Sequence, residues 1–392
     1  MAEPWLSVIG MGEDGLTGLS GASRAALDRA EIVFGGPRHL ELAQVGAKGQ
    51  AWPVPFDLAP LLALRGRAVA MLVSGDPFWF GAGGSVAAHL APDEWHTFPV
   101  AGTFSLVAGR LGWRLEDVIC LGLHAAPYAR LRPVLARGVR VICTLRDAAA
   151  VTGLQIWLRD NGFVATRMTV CEALGGPRER IRQGAAWDDV IAPVAVALDG
   201  ADLPRDAGLP RASGLPDDLF AHDGQITKRP VRALTLSALA PRPGLLLWDI
   251  GGGSGSVSVE WCLAGGQACT VEAKPTRVAN IRANADGFGV SQRIQLVEGR
   301  APEALRDLPA PDAVFVGGGG DAALYAALWP LLPAGCRLVA NGVTLETEAQ
   351  LAACHARYGG HLLRAYMAEA TALGGFRGWS AARPVVQWSV VK

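Results

Sequence analysis

The chain has 392 residues, half of them apolar, with 36 basic and 36 acidic side chains. That length predicts two domains, the apolar content with zero net charge predicts sizeable cores and not a disordered chain, and the neutral balance argues against nucleic acid as a partner while leaving room for a local basic pocket that takes an acidic small molecule. Seven scattered cysteines without a C-x-x-C pair predict buried thiols and no metal site. No apolar run reaches the ~20 residues of a membrane span, and no signal-peptide pattern opens the chain, so a cytoplasmic location with no membrane partner is expected.

In chain order, an apolar strand from Trp5 to Ile9 runs into a glycine loop holding Gly10 and Gly12. Thr17 to Ala30 has helix-compatible composition, with Ser20 or Ser23 as its cap. Glu31 to Phe34 is a short strand. Ala68 to Val73 is a buried strand that ends in Ser74-Gly75-Asp76-Pro77. There Gly75 permits close approach of a ligand, Asp76 supplies an acceptor and Pro77 fixes the turn. Phe98 to Ser105 places Thr103 and Ser105 at another strand-to-helix turn. This alternation predicts an α/β fold, in which ligands bind beyond the carboxyl ends of the strands. A second lobe begins near Leu115, with strands at Asp117–Leu121, Val139–Leu145 and Thr166–Cys171 and a helix at Gly153–Arg159. Glu172-Ala173-Leu174-Gly175-Gly176-Pro177-Arg178-Glu179-Arg180-Ile181 follows the last of these strands.

Taken together, these motifs resemble the tetrapyrrole (corrin-ring and sirohaem) methyltransferases. The N-terminal G-x-G loop matches Gly10 and Gly12, the G-D-P loop matches Gly75 to Pro77, and a P-x-x-x-S/T region matches Pro99 to Ser105. The run from Glu172 to Ile181 resembles the E-x-L-G-x-P-x-E-R-I segment of the branch acting on precorrin C5. The resemblance implies a two-lobed α/β domain over residues 1–200 that binds S-adenosylmethionine (SAM) through Gly10, Gly12, Gly75, Asp76 and Thr103. Phe80 stands where the family often has tyrosine, so no phenol acts there.

Residues 201–222 are rich in Pro, Gly and Asp and read as a linker with a short docking segment at Leu215 to His222. A second domain is expected over 223–392, opening with a helix at Val231–Leu239. An apolar strand then ends in Asp249, followed by Gly251, Gly253 and Gly255. The dinucleotide spacing G-x-G-x-x-G fails in both frames, because Ser256 and Ser258 occupy the third-glycine positions. The pattern D-x-G-x-G-x-G fits, and it resembles the first motif of the Rossmann-like SAM methyltransferases. Glu272 ends the next strand, 23 positions after Asp249, near the spacing of about 20 expected of a carboxylate that binds ribose hydroxyls. Gly299 and Arg300, after a third strand, are candidates for the adenine edge. Gly317 opens a four-glycine loop at the end of a fourth, Asn341 ends a fifth, and Pro384 to Val391 reads as a terminal strand inserted antiparallel.

Nearly all of this half resembles the decarboxylating, C15-methylating branch of precorrin enzymes, through T-K at Thr227-Lys228, D-I-G-x-G-S-G, E-G-x-A-P-E-A-L, V-G-G-G-G, N-x-V-T-L-E and L-G-G-F-R-G-W. Together the halves resemble the fused methyltransferases of aerobic cobalamin synthesis. This implies SAM-dependent methylation of precorrin-6Y at C5 and C15 with loss of carbon dioxide from the C12 acetate, giving precorrin-8X, with two SAM sites per chain. Thr227, Lys228 and Asn341 are candidate catalytic groups. Arg229, Arg377 and Arg383 are candidate anchors for a polycarboxylate substrate. A homo-oligomer, a tetramer through the C-terminal half, is implied as well. The rival readings are a dual methyltransferase acting on protein or RNA, or a chain in which one half binds SAM without catalysis.

Overall fold

Leu6–Met11 (β1) is buried along nearly its whole length, as a central parallel strand covered on both faces must be. In the computed structural model, which describes residues 4–184, 186–317 and 320–392, β1 lies between Val69–Ser74 (β4) and Trp95–Phe98 (β5), parallel to both. Ile32–Gly35 (β2) and Gly49–Ala51 (β3) complete a five-stranded parallel sheet of order β3-β2-β4-β1-β5. The helix Gly21–Arg29 begins at Ser20, whose hydroxyl accepts the Ser23 N–H at 3.1 Å. Ser20, not Ser23, is therefore the cap.

A second five-stranded sheet follows in the same unit, of order β6-β7-β10-β8-β9. Its strands are Val118–Gly122 (β6), Arg140–Leu145 (β7), Arg167–Glu172 (β8), Arg180–Arg182 (β9) and Val194–Asp199 (β10). β10 runs antiparallel to both neighbours. The helix after β7 spans Ala148–Asp160 and starts earlier than its composition suggested, because the Asp147 carboxylate accepts the Ala150 N–H at 2.9 Å and caps it there.

Chain contacts divide at Ala207/Gly208, with Ala129–Pro133 grouping with the second unit. That unit holds a seven-stranded sheet of order β13-β12-β11-β14-β15-β19-β16. Leu246–Ile250 (β11), Gln267–Glu272 (β12), Ile294–Glu298 (β13), Ala313–Val316 (β14) and Arg337–Gly342 (β15) are parallel. His361–Ala365 (β16) pairs antiparallel with the terminal strand Val385–Val391 (β19), which itself inserts antiparallel beside β15. Ala368–Leu373 (β17) and Phe376–Ala381 (β18) form a separate hairpin. Trp261, Phe315 and Trp388 are almost fully buried on the faces of the large sheet. The architecture is α/β throughout, a two-lobed domain followed by a Rossmann-like one with an antiparallel last strand.

The proline-rich stretch before this unit is more ordered than its composition indicates. Leu215 and Phe220 are buried in the second unit's core. The Glu260 carboxylate accepts the Gly214 and Leu215 N–H groups at 2.6 and 2.9 Å, and the Asn284 amide brackets Ala221 through both its backbone groups. All seven cysteines are free, and six are buried. No helix among the described residues is long and apolar enough to cross a membrane.

Candidate functional site

The glycine turn of the second unit joins β11 to the helix Ser256–Leu263. Gly251, Gly253 and Gly255 all have positive φ (74°, 60° and 71°), a conformation that side chains disfavour. Their functions differ. A Cβ on Gly255 would lie 2.9 Å from Ile281, so this residue serves helix packing. Gly251 and Gly253 instead line a cavity of about 1110 Å³ at the carboxyl ends of β11, β12, β14 and β15. Asp249 is not in the cavity wall. It lies beneath the turn, where its carboxylate accepts the Ser258 hydroxyl at 2.5 Å, and Ser258 in turn meets Thr270 at 2.7 Å.

Burial pushes the Asp249 carboxyl up to about 6, against the lowering effect of its Ser258 hydrogen bonds. Between the ordinary carboxylate value near 4 and this raised value, the folded chain holds a proton that the unfolded chain has released. The ionised group therefore opposes folding above pH ~6 and ceases to do so as the pH falls through ~4. Asp249→Asn is expected to stabilise the second unit by about 1–3 kcal/mol at pH 7.5 and by almost nothing at pH 4. Urea unfolding at both pH values checks this. An equal gain at both would contradict it.

Glu272, at the end of β12, faces the cavity. Its Oε2 accepts the Gly253 N–H and its Oε1 the Lys274 N–H, both at 2.9 Å. Each oxygen keeps a lone pair for a hydroxyl donor. Ser254, also in the cavity wall, has a buried hydroxyl with no partner. A carboxylate with two free acceptor sites, an orphaned hydroxyl and bare glycine backbone suit a nucleoside with vicinal hydroxyls, and these residues fit SAM.

The structure brings Thr227, Lys228, Arg229, Glu272, Gly317, Asn341 and Arg383 to this one cavity. The Thr227 carbonyl accepts from Arg232 at 2.5 Å, and Lys228 Nζ lies 3.8 Å from Asp217. Gly299 is not among the lining residues; its N–H bonds the Glu272 carbonyl at 3.0 Å, continuing the β12–β13 ladder. Arg300 is exposed and Arg377 sits on β18, both away from the lining. Gly318 and Gly319 of the four-glycine loop lie outside the described residues. Asp217, Arg277, Phe315 and Glu369 also line the cavity, and no sequence motif marks any of them as a site residue. Arg277 donates to Asp223 at 2.9 Å, and only the fold separates it from an ordinary helix-surface cation.

In the first unit, the loops after β1, β4 and β5 converge. Gly75 N–H donates to the Met11 carbonyl at 3.1 Å, and Val100 N–H donates to the Gly75 carbonyl at 3.4 Å. A Cβ on Gly10 would lie 2.0 Å from that same Gly75 oxygen. Thr103 opens the next helix, Thr103–Leu111, immediately after Gly102. The Asp76 carboxylate accepts the Phe78 N–H at 2.8 Å and shapes the G-D-P turn. Gly12 faces Asp14, whose carboxylate would lie 2.5 Å from an added Cβ. The Phe80 ring packs 5.0 Å from Phe104 and against Gly122 of β6, so the residue replacing the family's tyrosine joins the two lobes.

Sequence reasoning missed a charged cluster beside these loops. Glu13, almost buried, pairs with Arg38 and lies 3.8 Å from Arg178. His39 Nε2 lies 2.9 Å from the Ser74 hydroxyl and 3.1 Å from Arg38. Burial and then the Arg38 charge pull His39 down to about 4, which leaves its imidazole neutral at physiological pH. Because Arg38 offers only donors, Nε2 is the acceptor.

Comparison with known proteins matches both units. The profile of tetrapyrrole (corrin/porphyrin) methylases covers residues 6–186, and that of the precorrin methyltransferase domain covers 218–392. A precorrin-6Y C(5,15)-methyltransferase [decarboxylating] of Sinorhizobium sp is 47% identical over 404 residues, spanning 100% of this chain and 97% of its own. The protein of the same name from Mycobacterium tuberculosis (strain CDC 1551 / Oshkosh) is 39% identical over 394 residues, spanning 98% and 99%. The crystal structure of the C-terminal domain of precorrin-6Y C5,15-methyltransferase from Rhodobacter capsulatus is 60% identical, covers 47% of this chain and 100% of its own, and superposes with a TM-score of 0.46. With relatives aligned along both units, the chain belongs to the precorrin-6Y C5,15-methyltransferase (decarboxylating) family.

Proposed function

We propose that the chain methylates precorrin-6Y at C5 and C15 and removes carbon dioxide from its C12 acetate side chain, giving precorrin-8X. The first unit carries the C5 transfer, and the second carries the C15 transfer and the decarboxylation. The observation that carries this reading is the end-to-end alignment, across both units, with relatives bearing that activity in their names. SAM, when bound, supplies an electrophilic methyl group. The chain's own task is to bind and aim. Glu272 accepts the ribose hydroxyls, and the bare backbone at Gly251, Gly253 and Gly317 allows close approach. Gly10, Gly12, Gly75, Asp76 and Thr103 form the second of two SAM sites per chain. Lys228, Arg229, Arg277 and Arg383 hold substrate carboxylates, so that the carbon to be methylated lies in line with the donor and shielded from water.

The test is to incubate the intact chain with precorrin-6Y and SAM and weigh the product. A gain of two methyl groups with loss of one carbon dioxide is expected. A product with either change missing from the parent chain overturns the reading.

Copies of the chain associate through the β17–β18 hairpin, forming a tetramer. Leu373, Phe376 and Trp379 leave 67–83% of their surface exposed there, which favours an apolar contact. Light scattering should show Phe376→Glu/Trp379→Glu dissociating; a monomeric parent would exclude the assembly.

A further inference from the structure

Behind the wall of the second unit's cavity lies a buried polar triad with defined donors and acceptors. Thr235 lies on the helix Arg229–Leu239, Asn341 near the end of β15, and Gln387 opposite Asn341 in the β15–β19 ladder. All three are more than nine-tenths buried. The Thr235 hydroxyl donates to the Val231 carbonyl at 2.9 Å. That uses its only hydrogen, so towards the two amides it can only accept. Asn341 Nδ2 donates to it at 2.9 Å and Gln387 Nε2 at 3.2 Å, and Gln387 Nε2 also donates to Asn341 Oδ1 at 3.0 Å. Turning the Asn341 amide over would set its oxygen against the Thr235 oxygen and its NH2 against the Gln387 NH2. The orientation is therefore fixed. One Asn341 N–H is engaged by Thr235, the second has no partner among the described residues, and of the triad only Asn341 lines the cavity.

We propose that this second N–H holds the acetate carboxylate that departs as carbon dioxide, with Thr235 and Gln387 as positioning residues that aim it. The proposal rests on assigning the decarboxylation to the second unit. A neutral amide cannot act as a proton donor to carbon, so Asn341 is a hydrogen-bonding group and not a general acid. Neutrality is also what the step requires. Decarboxylation turns an anion into neutral carbon dioxide, so a cation paired with that carboxylate would stabilise the ground state more than the transition state and slow the step, whereas the weaker amide hydrogen bond acts by orientation, holding the breaking C–C bond aligned with the conjugated ring. Lys228, Arg229, Arg277 and Arg383 then serve the carboxylates that stay. The electron pair of the breaking C–C bond passes into the conjugated macrocycle and returns to the side-chain carbon, which takes one proton and becomes a methyl group. The balance closes, because replacing hydrogen by methyl at C15 releases one proton for the one that decarboxylation consumes.

The intact chain and four variants, Asn341→Ala, Asn341→Asp, Thr235→Val and Thr235→Ser, are given precorrin-6Y and SAM, with C15 methylation and carbon dioxide loss followed separately by mass. SAM binding and melting temperature are measured alongside. Asn341→Ala should lower kcat for carbon dioxide loss about 30-fold with SAM affinity unchanged. Asn341→Asp should be slower still, because it sets a carboxylate against a carboxylate, whereas a purely structural role makes the isosteric Asp the milder change. Thr235→Val should follow Asn341→Ala, and Thr235→Ser, which keeps the acceptor, should stay within about threefold of the parent. Carbon dioxide loss within threefold of the parent for Asn341→Ala, an Asp variant faster than the Ala variant, or loss of SAM affinity in step with activity would each overturn the proposal. A parent chain that fails to decarboxylate overturns the proposed function of the chain instead, so that failure is distinguishable from failure of the Asn341 proposal.

Discussion

Gly10→Ala is expected to lower C5 methylation about 100-fold while leaving C15 methylation and decarboxylation at the parent rate. The added Cβ would lie 2.0 Å from the Gly75 carbonyl oxygen and 3.0 Å from Val100 N, and both of those are backbone atoms. No rotamer relieves such a contact. The loop after β1 must move away from the loops after β4 and β5, and those three loops form the proposed methyl-donor site. A displacement of about 1 Å is enough to cost two orders of magnitude when catalysis depends on placing a carbon in line with its donor. Gly75 offers an independent check. It has φ of +61°, and its own Cβ would lie 2.6 Å from Gly102 Cα, so Gly75→Ala should fail in the same way. Mass analysis of the product reads each step separately. A Gly10→Ala chain that still methylates C5 at the parent rate would remove these loops from the C5 site.

Arg232→Leu is expected to destabilise the second unit by about 3–5 kcal/mol, the cost of leaving one member of a buried ion pair without its partner. The guanidinium is completely buried. It donates to Glu260 at 2.6 Å, Asp217 at 2.9 Å and the Thr227 carbonyl at 2.5 Å, and also to the Leu215 carbonyl, and it lies 4.8 Å over the Phe220 ring. Glu260, itself buried, holds the Gly214 and Leu215 amides. Removing Arg232 thus leaves a buried carboxylate without its counter-charge and frees the segment that supplies Asp217 and Thr227 to the cavity wall. SAM affinity in the second unit should fall together with its urea midpoint. A loss below about 1 kcal/mol would show that the backbone amides alone satisfy Glu260.

The alternation of apolar runs with glycine turns made the α/β class and the strand-end location of both candidate sites legible, because those features depend on local periodicity. Side-chain pairing across the fold was not legible. Asp249 reads as a ligand-facing acid, but its oxygen is taken by Ser258, and that pairing depends on how the helix after the turn is set against β11. Gly253 and Gly255 look equivalent in the sequence, yet Ile281 lies against only the second. Arg232 looks like one more helix charge until Glu260, 28 positions later, is packed beside it. Gln387 is an ordinary strand residue until the antiparallel register of β19 sets it opposite Asn341. Within the Pro-, Gly- and Asp-rich joint, Leu215 to His222 reads as a docking segment, and Leu215 and Phe220 are its buried anchors; that Glu260 and Asn284 fasten it shows only in the fold.

The central claim is that one chain holds two methyl-donor sites of different architecture, one in each unit. Titration calorimetry with SAM on the intact chain tests it most directly. The parent should bind two equivalents and Gly10→Ala one. A parent chain that binds a single equivalent would contradict it.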